Sequence, residues 1–171
     1  MEVDILMVSE KLNKSYCDFC RIINHDIDAS IVFEDDLFIA FLDHRPLIHG
    51  HCLVIPKRHI ETFNNLPFEL ILPLFAKVQI ISRSIETAMG AEGIFIAINN
   101  RVSQSILHFH VHIVPRWHND GLFSKKDAQE NENVILDKFI WKRRLYNNNQ
   151  QRNDIAEIIR KSILKYESAP Q

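Results

Sequence analysis

Three histidines alternate with apolar residues over residues 107–116, and this pattern restricts the fold more than any other stretch of the chain. Alternation with a period of two is typical of a half-buried β-strand. Because side chains two residues apart leave a strand on the same side, roughly 6.6 Å apart along it, we expect His108, His110 and His112 to form a row on one face. Such a row indicates either a metal site or a nucleophile supported by neighbouring rings, with a surface histidine cluster as the plainer alternative.

The composition limits where such a site would operate. A chain of 171 residues with 46% hydrophobic and 25% charged residues is expected to form one domain with an ordinary core. Its net charge of −2 gives no general attraction to nucleic acid or to anionic membranes, so we expect neither as a partner. The sequence shows no export signal and no membrane span, and its odd number of cysteines includes a Cys-x-x-Cys pair. These features predict a cytoplasmic, reducing environment and metal or redox use of the pair.

The remaining hydrophobic pattern predicts an α+β fold with an antiparallel sheet. Strands are expected at 31–34, 37–42, 51–55 and 94–98, in addition to the histidine strand. Apolar residues recurring at three and four predict an amphipathic helix over 67–89 that ends near Gly90, and Asp154 is expected to cap a last helix. We expect an N-terminal arm (1–16), a main domain (17–120) and a C-terminal helical extension (121–171) packed on that domain or on a dimer.

Several motifs together resemble one known family. The block 108–114 resembles the His-φ-His-φ-His-φ-φ signature of the histidine triad (HIT) nucleotide-binding family, where φ is apolar. The family's upstream blocks occur in the usual order at 17–23, 34–36, 40–43 and 50–59, so the resemblance covers roughly residues 17–116. It implies a homodimer whose subunits have a five-stranded antiparallel sheet and one long helix. It also implies a purine nucleotide substrate, with hydrolysis of nucleoside phosphoramidates or dinucleoside polyphosphates, or nucleotidyl transfer, at the α-phosphate.

The resemblance assigns roles along the phosphate. The middle histidine of the family's triad is its nucleophile, which is His110 here. A neutral imidazole suits that role at pH 7, provided that an acceptor such as a backbone carbonyl holds the proton on its other nitrogen. His112 would contact the phosphate or pass a proton to the leaving group, and His51 would add another donor. Gln104 and Ser105 lie where the family contacts the phosphate or the bridging atom.

The resemblance also assigns a nucleoside site. Asp43 matches the carboxylate that binds the ribose hydroxyls, although a strand-end cap would look the same in sequence. Phe19, Ile22 and Phe41 match the apolar walls of the base site, and they would also serve as ordinary core residues. Asn99 matches a polar position that faces the nucleotide, with an ordinary turn residue as the alternative.

A structural zinc site is implied as well. Many bacterial-type members bind zinc through four residues that correspond to Cys17, Cys20, His59 and His108. A closed four-ligand site would tie the N-terminal segment to the sheet and take no part in the phosphate chemistry. A redox pair and two reduced thiols in the core remain alternatives. A redox Cys-x-x-Cys usually opens a helix within a βαβ unit, however, and the sequence does not predict such a unit.

The chain departs from the family in the loop before the triad, and two other functions compete with the nucleotidyl-histidine mechanism. Residues 99–105 contain no glycine, so less backbone can approach a phosphate chain, although Arg101 offers positive charge. In one alternative function, the three histidines ligate one metal in a hydrolase. A flat row of three spans roughly 13 Å, too far for first-shell bonds. In the other, the protein is a non-catalytic nucleotide-binding scaffold.

Overall fold

The computed structural model describes residues 17–118, 120–122 and 143–168. The predicted N-terminal arm lies outside the described residues, and the predicted extension is described only in part. None of the described helices is both long enough and apolar enough to cross a membrane.

One antiparallel sheet organises the described residues. Its spatial order is β1-β2-β3-β5-β4, and every neighbouring pair is antiparallel. The predicted five-stranded antiparallel sheet is therefore confirmed. The strands are β1 (Ile31–Glu34), β2 (Phe38–Leu42), β3 (Cys52–Pro56), β4 (Gly93–Ala97) and β5 (Val111–Arg116).

The histidine strand begins later than the sequence pattern predicts. β5 starts at Val111, so His108 and His110 precede it instead of standing within it. The backbone N–H of Phe109 donates to the carbonyl of Ile60 at 2.5 Å, and that of His108 donates to Ile106 at 2.8 Å. The first of these hydrogen bonds holds the segment beside the loop after β3. The expectation that all three histidines lie within the strand is therefore wrong, because an alternating pattern records burial on two sides and does not show where ladder pairing begins. The alternation itself is confirmed: Phe109, Val111 and Ile113 belong to the larger core, whereas His108 and His110 meet Phe19 on the other face.

Three helices cover the two faces of the sheet: α1 (Asp18–Ile23), α2 (Phe68–Met89) and α3 (Asn149–Glu167). The long helix matches the predicted bounds of 67–89 within one residue. It ends at Gly90, whose φ of 59° is left-handed and suits a residue without a side chain.

The last helix begins before the predicted cap. Asn148 is the N-cap, and its side chain accepts a hydrogen bond from the backbone N–H of Gln151 at 2.8 Å. Asp154 instead lies inside the helix and accepts from the Gln150 side chain at 2.7 Å. The first turn is wholly polar, so the apolar pattern marks where the helix becomes buried and not where it starts.

The two faces of the sheet are covered unequally. One face carries the larger core, to which α2 and α3 contribute Leu74, Val78, Ile81, Ile85, Ala156, Ile159 and Ile163. The other carries a smaller cluster beneath α1, formed by Cys17, Phe19, Cys20, Ile22, Ile39, Phe41, Leu53 and Ile55. This second face also meets the triad segment, since the rings of Phe19 and His110 lie 5.2 Å apart.

Candidate active site and metal centre

His110 is buried, and its two ring nitrogens have different surroundings. Nδ1 lies 2.7 Å from the carbonyl oxygen of His108. Because a carbonyl only accepts, Nδ1 carries the proton and Nε2 of the neutral ring carries the lone pair. Burial lowers the pKa of His110, against the opposing effects of this hydrogen bond and of the Asp43 charge. The ring is therefore a neutral base with a single nucleophilic nitrogen.

Apolar side chains border the His110 ring. The ring of Phe19 meets it edge-on with centroids 5.2 Å apart, and Phe19 also packs edge-on against Phe41 at 5.4 Å. Ile22 belongs to the same buried cluster. The structure thus brings together all three residues predicted for the base site, although each is buried in the smaller core.

His112 and His51 form a hydrogen-bonded pair beside His110. Their rings join through His112 Nδ1 and His51 Nε2 at 3.0 Å, and the rings of His110 and His112 lie 4.8 Å apart. The backbone N–H of Leu47 donates to Nδ1 of His51 at 3.3 Å. An amide N–H can only donate, so we assign the His51 proton to Nε2. The neutral His112 then carries its own proton on Nε2.

Asp43 lies behind this pair, at the end of β2. Its Oδ1 accepts from the backbone N–H of Arg45 at 2.9 Å, and its Oδ2 lies 3.5 Å from His51 Nδ1. That second contact would favour a proton on Nδ1 of His51. The Leu47 contact outweighs it, because it is shorter and the backbone N–H of Leu47 can only donate. A buried carboxylate thus adjoins the histidine pair.

The loop over residues 99–105 brings one predicted residue to the histidines and leaves two apart. The carboxamide nitrogen of Asn99 lies 3.4 Å from Nε2 of His112. Both atoms are donors in the tautomer assigned above, so the amide accepts the His112 proton only when its oxygen is turned to that ring. Both ends of the Gln104 amide are used within the loop region: it donates to the carbonyl of Glu61 at 2.6 Å and accepts from the Arg101 N–H at 2.9 Å. Ser105 is exposed on the same loop.

The glycine-free loop takes up backbone conformations that glycine would favour. Arg101 has φ of 70° and Ser103 has φ of 60°, both in the left-handed region. A left-handed residue that has a Cβ costs about 1–2 kcal/mol. The loop therefore keeps a tight path without glycine, at a conformational cost.

The four predicted metal ligands converge. Their ligand atoms, Sγ of Cys17 and Cys20 and a ring nitrogen of His59 and His108, all lie within 4.8 Å of one another. Nδ1 of His108 is 3.6 Å from Cys17 Sγ and 3.7 Å from Cys20 Sγ, and Nδ1 of His59 is 3.2 Å from Cys20 Sγ. Zinc bonds of about 2.3 Å to sulfur and about 2.0–2.1 Å to nitrogen separate tetrahedral ligands by about 3.6 Å. The four residues therefore fit a metal ion.

The orientation of His108 suits this centre. Its Nε2 lies 2.8 Å from the carbonyl oxygen of Pro56, so this nitrogen carries the proton and Nδ1 presents a lone pair to the sulfurs. Burial lowers the pKa of His108 to about 4, which keeps that lone pair available. The three triad histidines thus divide between two places, His108 among the possible metal ligands and the other two beside His51.

Sequence reasoning missed Arg143. Its Nη1 lies 3.8 Å from Asp43 Oδ2 and donates to the carbonyl of Arg45. Arg143 lies far along the chain from Asp43, outside the part that resembles the family, and no local pattern connects the two. Only the arrangement of the C-terminal segment could have revealed the contact.

The open α+β sheet thus carries a buried neutral imidazole with one unprotonated ring nitrogen, a neighbouring histidine pair and a separate cluster of four residues that could hold a metal. Comparison with known proteins agrees. Residues 24–119 match the HIT domain, and the chain belongs to the histidine triad family. The prediction of this family is confirmed.

Individual relatives share most of the described chain. Adenylylsulfatase HINT3 of Arabidopsis thaliana is 36% identical over 124 residues, 71% of this chain, and the match spans only 62% of that relative. A zinc-bound histidine triad family protein from Mycobacterium smegmatis has a TM-score of 0.74 at 29% identity, covering 92% of this chain and 99% of that one. A hypothetical histidine triad nucleotide-binding protein from Sulfolobus tokodaii has a TM-score of 0.73 at 32% identity, covering 88% and 94%.

Proposed function

We propose that this protein is a nucleotide-binding hydrolase or transferase that acts at the α-phosphate of a purine nucleotide through a covalent nucleotidyl-His110. The observation that carries the proposal is the hydrogen bond between His110 Nδ1 and the His108 carbonyl. It fixes the tautomer in which Nε2 is the nucleophile. The substrates are nucleoside phosphoramidates or dinucleoside polyphosphates. One relative is named an adenylylsulfatase, so adenylyl sulfate belongs in the same test panel.

The first half-reaction follows from the two tautomers. Nε2 of His110 attacks the α-phosphorus, a P–N bond forms, and the bond to the leaving group breaks with its electron pair. The N–H at His112 Nε2 donates a hydrogen bond to the leaving group and stabilises its developing negative charge, and the leaving group takes its proton from solvent. The proton on His51 Nε2 holds His112 in this tautomer through the 3.0 Å contact. The His108 carbonyl stabilises the positive charge that the His110 ring gains.

The second half-reaction regenerates the enzyme. A water molecule, or an acceptor group in transfer, attacks the phosphorus and loses its proton to solvent, while the N–H of His112 contacts the phosphate. The P–N bond then breaks and releases the nucleotide and the neutral His110 ring. In this scheme Asp43 binds the ribose hydroxyls, and Asn99 holds the His112 side of the phosphate. Phe19, Ile22 and Phe41 line the base site, and Gln104 and Ser105 lie towards the leaving group.

Further parts of the proposal concern the metal and the assembly. The Cys17–Cys20–His59–His108 centre binds structural zinc, supported by its geometry and by the zinc-bound relative. The exposed apolar side chains of α2 and the open edge strand β4 support a homodimer. The three free cysteines support a cytoplasmic location. The division into arm, domain (17–120) and extension (121–171) is part of the same proposal.

The test is direct trapping of the intermediate. The protein is mixed with an adenosine phosphoramidate, quenched in base, and examined by intact-mass and peptide mass spectrometry for an adenylyl group on His110. We expect the adduct in the wild type and slower formation of the adduct in His112→Asn, because the first step lacks the imidazole N–H at the leaving group. We expect no adduct in His110→Ala, whose turnover falls by at least roughly 10³-fold.

Other outcomes separate the competing functions. Turnover unchanged in His110→Ala would exclude the covalent mechanism. Activity that disappears on chelation in a protein that remains folded would favour a metal-dependent hydrolase. Saturable nucleotide binding without turnover on any of the three substrate classes would favour a binding scaffold.

A further inference from the structure

A C-terminal strap, residues 143–148, lies along the loop that joins β2 to β3. The backbone N–H of Arg144 donates to Pro46 O at 2.9 Å, and His49 Nε2 lies 3.1 Å from Leu145 O. Tyr146 stacks on His49 with centroids 4.9 Å apart. The strap is therefore held at several points to the loop that runs from Asp43 to His51.

Arg143 is the strap residue that reaches the candidate site. Its Nη1 lies 3.8 Å from Asp43 Oδ2 and also donates to the carbonyl of Arg45, the residue whose own N–H holds Asp43 Oδ1. The two carboxylate oxygens are thus approached from two directions. The side chain of Arg143 is 30% exposed, so this cation is partly shielded from solvent.

The positive charge of Arg143 lies close enough to His51 and His112 to affect the pKa of both rings. Burial chiefly lowers the pKa of His51 and His112, and the charge of Arg143 adds to both shifts. Nε of Arg143 is buried and has no hydrogen-bond partner among the residues that the structure describes. The guanidinium thus contacts Asp43, and its charge also reaches the histidine pair.

We propose that Arg143 is a positioning residue for Asp43: its guanidinium, together with the Arg45 N–H, orients the carboxylate that receives the ribose hydroxyls. The C-terminal strap thereby sets the affinity and the ribose selectivity of the nucleotide site. This inference rests on the proposed function, because it assigns the ribose contact to Asp43. It adds a residue that influences nucleotide binding and that lies outside residues 24–119, the range over which the HIT domain matches.

Binding measurements test this without requiring turnover. The variants are Arg143→Ala, Arg143→Lys, Asp43→Asn and the matched control Arg144→Ala, whose lost guanidinium contacts the Asp120 carbonyl. Each is titrated with AMP and with 2′,3′-dideoxy-AMP in a calorimeter. Thermal unfolding is recorded for each variant to compare their folded states.

We expect Arg143→Ala to weaken AMP binding roughly 10-fold and to leave dideoxy-AMP binding within roughly 2-fold, because only the ribose contact is lost. Arg143→Lys recovers most of the affinity, and Arg144→Ala retains the wild-type selectivity. With a phosphoramidate substrate, Arg143→Ala raises KM while kcat stays within roughly 2-fold.

Two results overturn the inference in distinguishable ways. If Asp43→Asn loses ribose selectivity but Arg143→Ala weakens both nucleotides equally or neither, only the positioning role fails. Equal weakening of AMP and dideoxy-AMP binding would indicate that the Arg143 guanidinium contacts the phosphate instead. If Asp43→Asn itself keeps full selectivity, or the wild type binds no AMP, the ribose assignment in the proposed function fails and this inference fails with it.

Discussion

The paired rings of His51 and His112 are neutral in the folded protein. Burial lowers the pKa of His51 to about 4 and that of His112 to about 2, because a charged imidazole would lose its hydration there. A neutral imidazole still carries one proton, and its partner decides which nitrogen holds it. In the proposed mechanism the pair therefore offers an N–H to the leaving group as a hydrogen-bond donor, and both rings stay neutral.

Acid destabilisation follows from these shifts. Between the ordinary histidine pKa of about 6.5 and the folded-state pKa of His51 of about 4, the unfolded chain binds a proton that the folded protein does not. The free energy of unfolding is thus highest above about pH 6.5 and falls as the pH drops towards 4, by about 3 kcal/mol for this one group.

Urea titrations between pH 7.5 and 4.5 measure this slope. His51→Gln is expected to give a shallower fall than the wild type, whatever its absolute stability. His44→Gln, a change at an exposed histidine nearby, serves as the control and should keep the wild-type slope. Any contribution from metal loss is common to all three proteins. Equal slopes for His51→Gln and the wild type would contradict the prediction.

Sequence motifs identified most residues around His110, because the residues that the chemistry needs lie close together within short motifs. His110, His112 and Asn99 lie on neighbouring segments, and each motif block carries its side chain to one end of a strand. The metal ligands were also predictable, since their geometry follows from the same blocks. Arg143 was not, because its contact depends on how the C-terminal strap crosses the sheet.

At the scale of elements, the end of α2 depends on one glycine. Gly90 has φ of 59°, and a Cβ added there would meet no atom within 4 Å, so the cost of a side chain is conformational alone. Gly90→Ala should reduce the free energy of unfolding by about 1 kcal/mol.

Gly93 provides the matched control for that change. It lies in β4, and an added Cβ there also meets nothing within 4 Å. Chemical denaturation of both variants should show Gly93→Ala within about 0.5 kcal/mol of the wild type. A loss as large as that of Gly90→Ala would mean that the left-handed cap is not the cause.

Element boundaries were predictable where burial and backbone pairing coincide. β1 has the predicted bounds, and β2, β3 and β4 lie within one residue of theirs. The predictions were wrong where the two separate. Phe109 is buried without joining the ladder, because its N–H bonds to Ile60, and the first turn of α3 is helical without burying an apolar side chain.

For the whole molecule, the cluster of four possible metal ligands joins the N-terminal part of the described chain to the sheet. Cys17 and Cys20 belong to the α1 region, and His108 lies shortly before β5. We expect one zinc ion per chain by elemental analysis in the wild type and less than roughly a tenth of that in Cys20→Ser. We also expect a Tm lower by roughly 10 °C in that variant.

Cys52→Ala is the control for the cysteine change. Cys52 is buried in the larger core on the opposite face, and burial raises the pKa of its thiol. This variant should therefore retain the full zinc content. Retention of zinc by Cys20→Ser would contradict the assigned ligand set.

The proposed homodimer is also testable at this scale. Phe68 and Leu72 of α2 are 89% and 79% exposed, which is unusual for large apolar side chains on one helix. Leu72→Glu should convert a dimer to a monomer in light scattering. Leu164→Glu, on α3 at a position that is 61% exposed, should remain dimeric. A dimeric Leu72→Glu variant would mean that the dimer contact lies elsewhere. A monomeric wild type would contradict the proposed dimer.

The unequal cover of the two sheet faces has a consequence for local opening. One face is closed by two long helices, whereas the face with the proposed active site is closed by the six-residue α1 and the loops beside it. We therefore expect opening events that expose α1 amides to hydrogen exchange to need less free energy than those that expose α2. If the proposed function holds, such openings would admit and release the nucleotide while the opposite face keeps the chain folded.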